Sequence, residues 1–444
     1  MIASNILLRQ TANATGSFIT RYVNFLMLFF PVTAFLLVPV IPGTTIITVL
    51  AGLMFFVIPL STLKENKYLF YRDLFYFICV ITAMSFCSQF INLVTNLKLI
   101  KPLILINHND FTKTFYRKSH LTQTLPLLVG FVIYAYVRYF STDKIIDYIY
   151  WGLRLLCLYG LYEFCFYMLT GQNGDFMVNR TFGEGEKSAS LFQTVNLGGI
   201  SMMRFKSYTG EPSMFVFTVF PFWALTFGLN RTFDKYLLLG CLILTFSTTA
   251  YACMILFGCF WIIYRREFQL FYYLCIAIVA LCFVLQLDMF QHLLDSIYNF
   301  VFAGKLEGSA SARDRSNGFS THVAYWASLN GFSQAFGIGF GYVRSTDFFS
   351  TIIVNNGLVG IIVFTTFVLR NLWLKIPGEL VSICYKAGLF LVYLIMMATV
   401  PEFAYPSLWI YIALGYVLQT TMKSAAYQQP VYNYAIPNKM LSNA

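Results

Sequence analysis

Apolar runs long enough to cross a bilayer recur along this chain, separated by short basic connections and by two long polar stretches, residues 171–212 and 287–347. About 20 consecutive apolar residues span a membrane as a helix. That spacing predicts twelve helices, near 22–40, 43–61, 74–96, 121–140, 146–169, 213–229, 236–247, 249–264, 268–286, 348–369, 385–400 and 404–420. The seventh is short, and Thr245-Phe-Ser-Thr-Thr249 marks a tight turn before the eighth. Val400-Pro-Glu-Phe-Ala-Tyr-Pro406 splits the last two. The expected fold is an all-α polytopic membrane protein, a single integral domain over residues 1–444 without an internal repeat, ending in a tail at 421–444.

Composition agrees with this pattern. Of 444 residues, 58% are hydrophobic and only 11% charged, against about 25% charged in soluble domains. The segment from Met1 to Thr20 is polar and lacks the apolar core and small-residue cleavage site of a signal peptide. The first apolar run, from Tyr22, is therefore expected to stay in place as an anchor. The ten cysteines lie in or beside apolar runs with no C-x-x-C, a pattern that predicts neither a disulfide framework nor structural zinc.

The formal charge of +11 is dispersed over many loops, which points to topology and away from nucleic acid. With both termini cytoplasmic, every short inner connection is basic: Lys64/Lys67/Arg72, Arg138/Lys144, Arg231/Lys235, Arg265/Arg266 and Arg370/Lys375. Both long polar stretches then face outward. Lys98, Lys101, Lys113, Arg117 and Lys118 break the rule by also falling outside. Their loop contains Pro102-Leu-Ile-Leu-Ile106, too short to span but suited to docking among lipid headgroups.

Candidate chemistry gathers in the outward stretches. In the first, Arg204-Phe-Lys-Ser-Tyr-Thr-Gly-Glu211-Pro-Ser213 runs straight into an apolar helix. Ser213 or Glu211 can cap that helix, with Pro212 in its first turn; a carboxylate fixed there is also well positioned to act as a base. The second stretch holds Ser-Ala-Arg313-Asp-Arg315. These arginines either pair locally with Asp314 or grip a phosphate bidentately. No strand precedes Phe336-Gly-Ile-Gly-Phe-Gly341-Tyr-Val-Arg344, so it predicts a tight re-entrant turn covered by protein and no dinucleotide fingerprint. Trp326, beside Tyr325, suits either a sugar face or a loop core.

Inside the helices two charges stand out, Arg154 and Glu163. Nine residues at about 100° each put them on opposite faces. Arg154 is expected to snorkel inward, and Glu163 to line a polar cavity. The four histidines, His108, His120, His292 and His322, form no H-E-x-x-H, and no D-x-D occurs. A metal-independent site is expected, with arginines neutralising a leaving group.

The arginine followed by Gly-Glu211-Pro-Ser213 at a helix start resembles the bacterial O-antigen polymerases of the inner membrane. So, in the same order, do Leu244-Thr-Phe-Ser-Thr-Thr249, Ser-Ala-Arg313-Asp-Arg315, Phe336-Gly-Ile-Gly-Phe-Gly341 and Asn355-Asn-Gly-Leu-Val-Gly360. The similarity spans roughly Arg180 to Gly360, together with the overall helix count. It implies a GT-C-like membrane glycosyltransferase with two long periplasmic loops. Such an enzyme joins repeat units carried on undecaprenyl diphosphate at the periplasmic face of a Gram-negative inner membrane, by inverting transfer and without a cofactor.

Under that reading Glu211 and Arg204 are the catalytic candidates, with Glu211 as base. Arg313, Arg315, Arg180, Arg344 and Glu163 are the substrate-binding candidates. The implied partners are the undecaprenyl-diphosphate-linked glycan, membrane lipid and a separate chain-length regulator. Related O-antigen ligases carry a histidine just before the helix at 348–369; Tyr342-Val-Arg-Ser-Thr-Asp-Phe348 lacks one, which favours a polymerase, though His322 is near. A transporter of the same lipid would instead show repeated halves and charges near the midplane, and a scaffold would tolerate loss of the arginines.

Overall fold

The computed structural model describes residues 18–39, 43–61, 63–106, 111–180, 192–197, 200–266 and 310–428, with positions 269, 272 and 276. The predicted helix 268–286 lies almost wholly outside the described residues, as do His108, His292 and the chain beyond 428. The elements are α1 (Phe18–Leu26), α2 (Ile46–Val57), α3 (Lys64–Thr95), α4 (Lys118–Phe140), α5 (Ile145–Thr170), β1 (Thr194–Leu197) and β2 (Ile200–Met203). They continue with α6 (Pro212–Leu229), α7 (Thr232–Leu244), α8 (Thr248–Arg265), α9 (Ala310–Ser328), α10 (Gly331–Phe336), α11 (Phe348–Leu369), α12 (Glu379–Thr399) and α13 (Pro406–Gln428).

Seven helices among the described residues are apolar and long enough to cross a membrane: α3, α4, α5, α6, α8, α11 (with the turn to Trp373) and α12. This is a mostly helical membrane protein, with one short β1–β2 hairpin among the described residues. Helices α2, α7 and α13 occupy three further predicted spans, but α2 and α7 have only 12 and 13 residues. From α3 to α8, and again from α11 to α13, successive helices alternate in direction. One end of the bundle, here the upper end, carries residues 171–180 and 200–211, the 337–347 loop and the 400–405 connection. The lower end carries Lys64, Arg138, Arg231 and Arg370.

The core forms around α6, which is apolar on all sides and buried almost throughout, from Met214 to Thr226. A helix without a polar face belongs inside a bundle. Leu408 to Leu414 of α13 and Tyr385 to Met396 of α12 complete this core. Contact between α6 and α12 is backbone-close at Gly228, where a β-carbon would sit 2.8 Å from the Cα of Val381. Small residues permit such approach between apolar helices, where no hydrophobic difference from lipid draws them together.

The first predicted span, 22–40, is not one helix. Hydrogen bonding switches to the i→i−3 pattern at Met27, Leu28 and Phe29, just before Pro31, and the chain then unwinds. Pro31 has no amide to donate and its ring crowds the preceding turn. The freed groups find partners elsewhere: the amides of Thr33 and Ala34 donate to the Tyr208 carbonyl at 3.2 and 2.8 Å. The Pro102–Ile106 run packs on protein with one face, while Ile104 on the other stays 37% exposed. Leu103 and Leu105 are buried against Tyr325, Ile338 and Tyr342, and Leu105 bridges Val343. The run pairs with protein because the 337–343 loop offers it unsatisfied backbone. Arg154 does reach the lower end, where it donates to both carboxylate oxygens of Asp234 at 2.6 and 3.0 Å.

Gly228→Val must push α6 from α12, and overpacking of this kind costs about 1–3 kcal/mol. The expected outcome is a lower unfolding temperature in detergent than for wild type, while Gly240→Val, at a glycine facing open space, leaves it unchanged.

Candidate functional site

Three irregular segments meet at the upper end. The unwound piece after α1 supplies the Ala34 carbonyl, which accepts the amides of Asn179 and Arg180 at 3.3 and 3.2 Å. The Asn179 side chain brackets Leu36, accepting its amide at 2.7 Å and donating to its carbonyl at 2.8 Å. Residues 207–211 form the second piece, joined to the first through Tyr208. These sutures fix the backbone at Arg180. Its guanidinium then donates to the Tyr405 hydroxyl at 3.1 Å and the Thr33 carbonyl at 3.4 Å, and lies 3.9 Å from Glu402.

The third segment is the glycine loop. Gly337, Gly339 and Gly341 all have positive φ, of 72°, 128° and 79°, conformations that side-chain-bearing residues rarely adopt. The tight covered turn expected from the sequence is present. Its amides at Ile338 and Gly339 donate to the carbonyls of Val354 and Asn355, which α11 releases by breaking at Gly357 (φ 63°). The Asn355 side chain clamps Val343 on both sides, and the Arg344 amide donates to Ile104. Arg344 is thereby aimed at Glu402 and forms an ion pair with it.

Glu402 thus joins two of the predicted arginines, Arg180 and Arg344. It was missed at the sequence level, although a lone acid between Pro401 and Pro406 in an upper connection was a readable signal. Glu211 belongs to the same neighbourhood. It is the N-cap residue of α6, with Pro212 following, but its side chain caps no amide; it accepts from the Ser213 hydroxyl at 3.1 Å. Burial would lower the Arg180 pKa, yet Tyr405, Glu402 and Glu211 together outweigh it and hold the guanidinium above its usual value. Burial, with Glu402 and Glu211, pushes the Tyr405 hydroxyl up against the opposing pull of Arg180. Arg344 remains 45% exposed in its side chain, so an incoming anion can reach it.

The other candidates fall elsewhere. Arg204 donates to the Thr245 carbonyl at 3.2 Å and to Gln193, fastening the β1–β2 hairpin to the α7–α8 turn. Glu163 lies 3.5 Å from Lys206, which also contacts Asp175 at 2.5 Å; Glu163 and Lys206 are fully buried and Asp175 nearly so. Arg313 and Arg315 lie on α9, and their side chains are outside the described structure. Trp326 donates to the Gln334 carbonyl at 3.0 Å and packs in the loop core. His322 is buried between the Gly318 carbonyl on Nδ1 and the Ile104 amide on Nε2. Burial holds its pKa down despite Gly318 and Asp347.

The buried triad makes an asymmetric prediction. Lys206→Met leaves two carboxylates together without a cation, and breaking a buried pair this way costs about 3–5 kcal/mol. Glu163→Gln keeps the Lys206–Asp175 contact and is expected to lower the unfolding temperature far less. Equal losses in the two variants would contradict the pairing. Comparison of the chain with protein-family models, with curated proteins and with solved structures finds no match.

Proposed function

We propose that this chain is a membrane glycosyltransferase that polymerises lipid-diphosphate-linked repeat units at the upper end of the bundle, in the manner of the O-antigen polymerases that its motifs resemble. The observation that carries the reading is the convergence of Arg180 and Arg344 on Glu402, with Glu211 and Tyr405 within electrostatic reach. In this reading the upper end is periplasmic and the architecture GT-C-like.

The growing chain on its lipid diphosphate is the donor, and a hydroxyl on the terminal sugar of a new unit is the acceptor. Glu211 takes the hydroxyl proton as the new C1–O bond forms with inversion. The C1–O bond to the diphosphate breaks, and the departing oxygen carries the negative charge. Arg344 and Arg180 stabilise that charge with N–H donors that Glu402 orients but does not use up, since each guanidinium has five. Glu402 is occupied by contacts to Arg180 and Arg344. Glu211 contacts a hydroxyl and opens the first turn of α6.

A polymerase is favoured over a ligase by His322. Both of its ring nitrogens are engaged and the ring is buried, so this imidazole is not available as a base for an acceptor. A transporter is disfavoured by the position of the cluster at one end of the helices.

The test is elongation of a synthetic undecaprenyl-diphosphate oligosaccharide by purified protein in detergent, where no sealed compartment exists for transport. Arg344→Ala is expected to slow chain growth roughly 100- to 1,000-fold. Glu211→Gln is expected to slow it about 100- to 10,000-fold, with the unfolding temperature retained. Near-normal polymer ladders from Glu211→Gln would remove it as the base, and elongation unaffected in both variants would sink the assignment.

A further inference from the structure

A second feature has its charged end opposite the upper cluster, which it approaches only through the apolar rings of Phe340 and Phe403. A cavity of about 590 Å³ lies between α3, α4, α11 and α13, within the about 300–1,000 Å³ typical of small-molecule sites. It is long: its lining on α3 runs from Arg72 to Ser85, about 20 Å of helix at 1.5 Å per residue. The middle is apolar and aromatic, with Phe77, Phe131, Phe364 and Trp409 among its walls. It opens sideways between α3 and α11, where the lining residues Tyr76, Val80 and Val363 are 60%, 45% and 42% exposed.

Its lower end is charged. Arg72, Arg138 and Arg370 line it against a single carboxylate, Asp73. Arg72 reaches Asp73 at 2.8 Å and Arg138 reaches it at 3.3 Å, so both share one acid. Arg138 also lies over the Tyr416 ring at 4.1 Å and donates to the Tyr134 hydroxyl at 2.7 Å. Arg370 is exposed, held over the Phe367 ring at 4.8 Å, and no carboxylate among the described residues pairs with it. Three guanidinium groups facing one carboxylate leave a net positive mouth on an apolar slot that opens toward lipid.

We infer that this cavity is a binding site for an anionic phospholipid, with one acyl chain in the slot and its phosphate against Arg370 and Arg138 at the lower end. Basic pockets between membrane helices recognise such headgroups, and guanidinium groups match phosphate oxygens bidentately. A lipid so placed fills the space between α3 and α11 and neutralises the excess charge of the mouth. Its headgroup lies at the opposite end of the bundle from Glu402. A polyprenyl diphosphate serving the upper cluster would enter with the reverse polarity, and its binding would depend on Arg344.

The test uses the full chain, delipidated in detergent, with phosphatidylglycerol, phosphatidylcholine of identical chains, undecaprenyl phosphate and inorganic phosphate as probes. Binding is read by native mass spectrometry and thermal shift. Wild type is expected to bind phosphatidylglycerol about tenfold tighter than phosphatidylcholine. Arg370→Gln should weaken phosphatidylglycerol roughly fivefold and leave phosphatidylcholine unchanged, while Arg370→Lys retains most of the preference. Val363→Trp, which fills the slot from its exposed side, should weaken both phospholipids. The inference is overturned by equal binding of the two phospholipids to wild type. It is equally overturned by inorganic phosphate stabilising as well as the lipid, by unchanged binding to Val363→Trp, or by undecaprenyl phosphate displacing phosphatidylglycerol with a dependence on Arg344 instead of Arg370.

Discussion

Backbone amides and carbonyls that leave a helix near the middle of an apolar bundle must find partners in the protein, because lipid offers none. The upper end of this molecule is organised by that requirement. Thr33 and Ala34, freed when α1 unwinds at Pro31, take the Tyr208 carbonyl; Asn179 and Arg180 take the carbonyl of Ala34. On the other side, α11 breaks at Gly357 and its released carbonyls receive the glycine loop. Each suture joins pieces far apart in sequence, and between them they determine where Arg180 and Arg344 can point. Glu402 holds both guanidinium groups and so closes the arrangement.

Charge in this bundle sorts by exposure. Lys206 is held between Glu163 and Asp175 out of contact with solvent, and the Arg154–Asp234 pair has its acid only 3% exposed. Buried pairs of this kind contribute little net stability, because desolvation cancels most of the attraction, yet removing one partner is costly. They hold helices in register. Arg344, at 45% exposure, and Arg370, exposed at the other end, are different in kind. Their cationic groups remain accessible, one over a polar cluster with a nearby carboxylate and the other at the mouth of an apolar slot.

The two ends therefore suit different anions. The upper cluster combines guanidinium donors with Glu211, whose hydroxyl contact and place at a helix start suit proton transfer from an attacking hydroxyl. The lower mouth has excess positive charge, aromatic rings under its arginines and no carboxylate beyond Asp73 in its lining, a combination suited to holding an anion without reacting with it. Aromatic residues serve packing more than recognition here: Trp409 and Phe77 wall the cavity, and Trp326 is spent on a loop carbonyl.

Local sequence located the helices from α4 to α8 and from α11 to α13 to within a few residues, because apolar length and flanking charge are properties of contiguous residues; α3 instead begins at Lys64, so that the expected basic connection Lys64/Lys67/Arg72 is helical. It also announced the covered turn at Gly337–Gly341, since only glycine takes those backbone angles readily. It misjudged 22–40, where Pro31 lets the chain unwind only because Tyr208 is there to receive it, and it gave no sign that Leu103 and Leu105 bury against a loop more than 200 positions away. Which charges meet was decided by tertiary structure alone. Glu211 and Arg204 are close neighbours in the chain, yet Arg204 turns to Thr245 and Gln193 while Arg180 and Arg344 share Glu402. Ion pairing depends on separations of a few ångströms between remote segments, and those distances exist only once the bundle has packed.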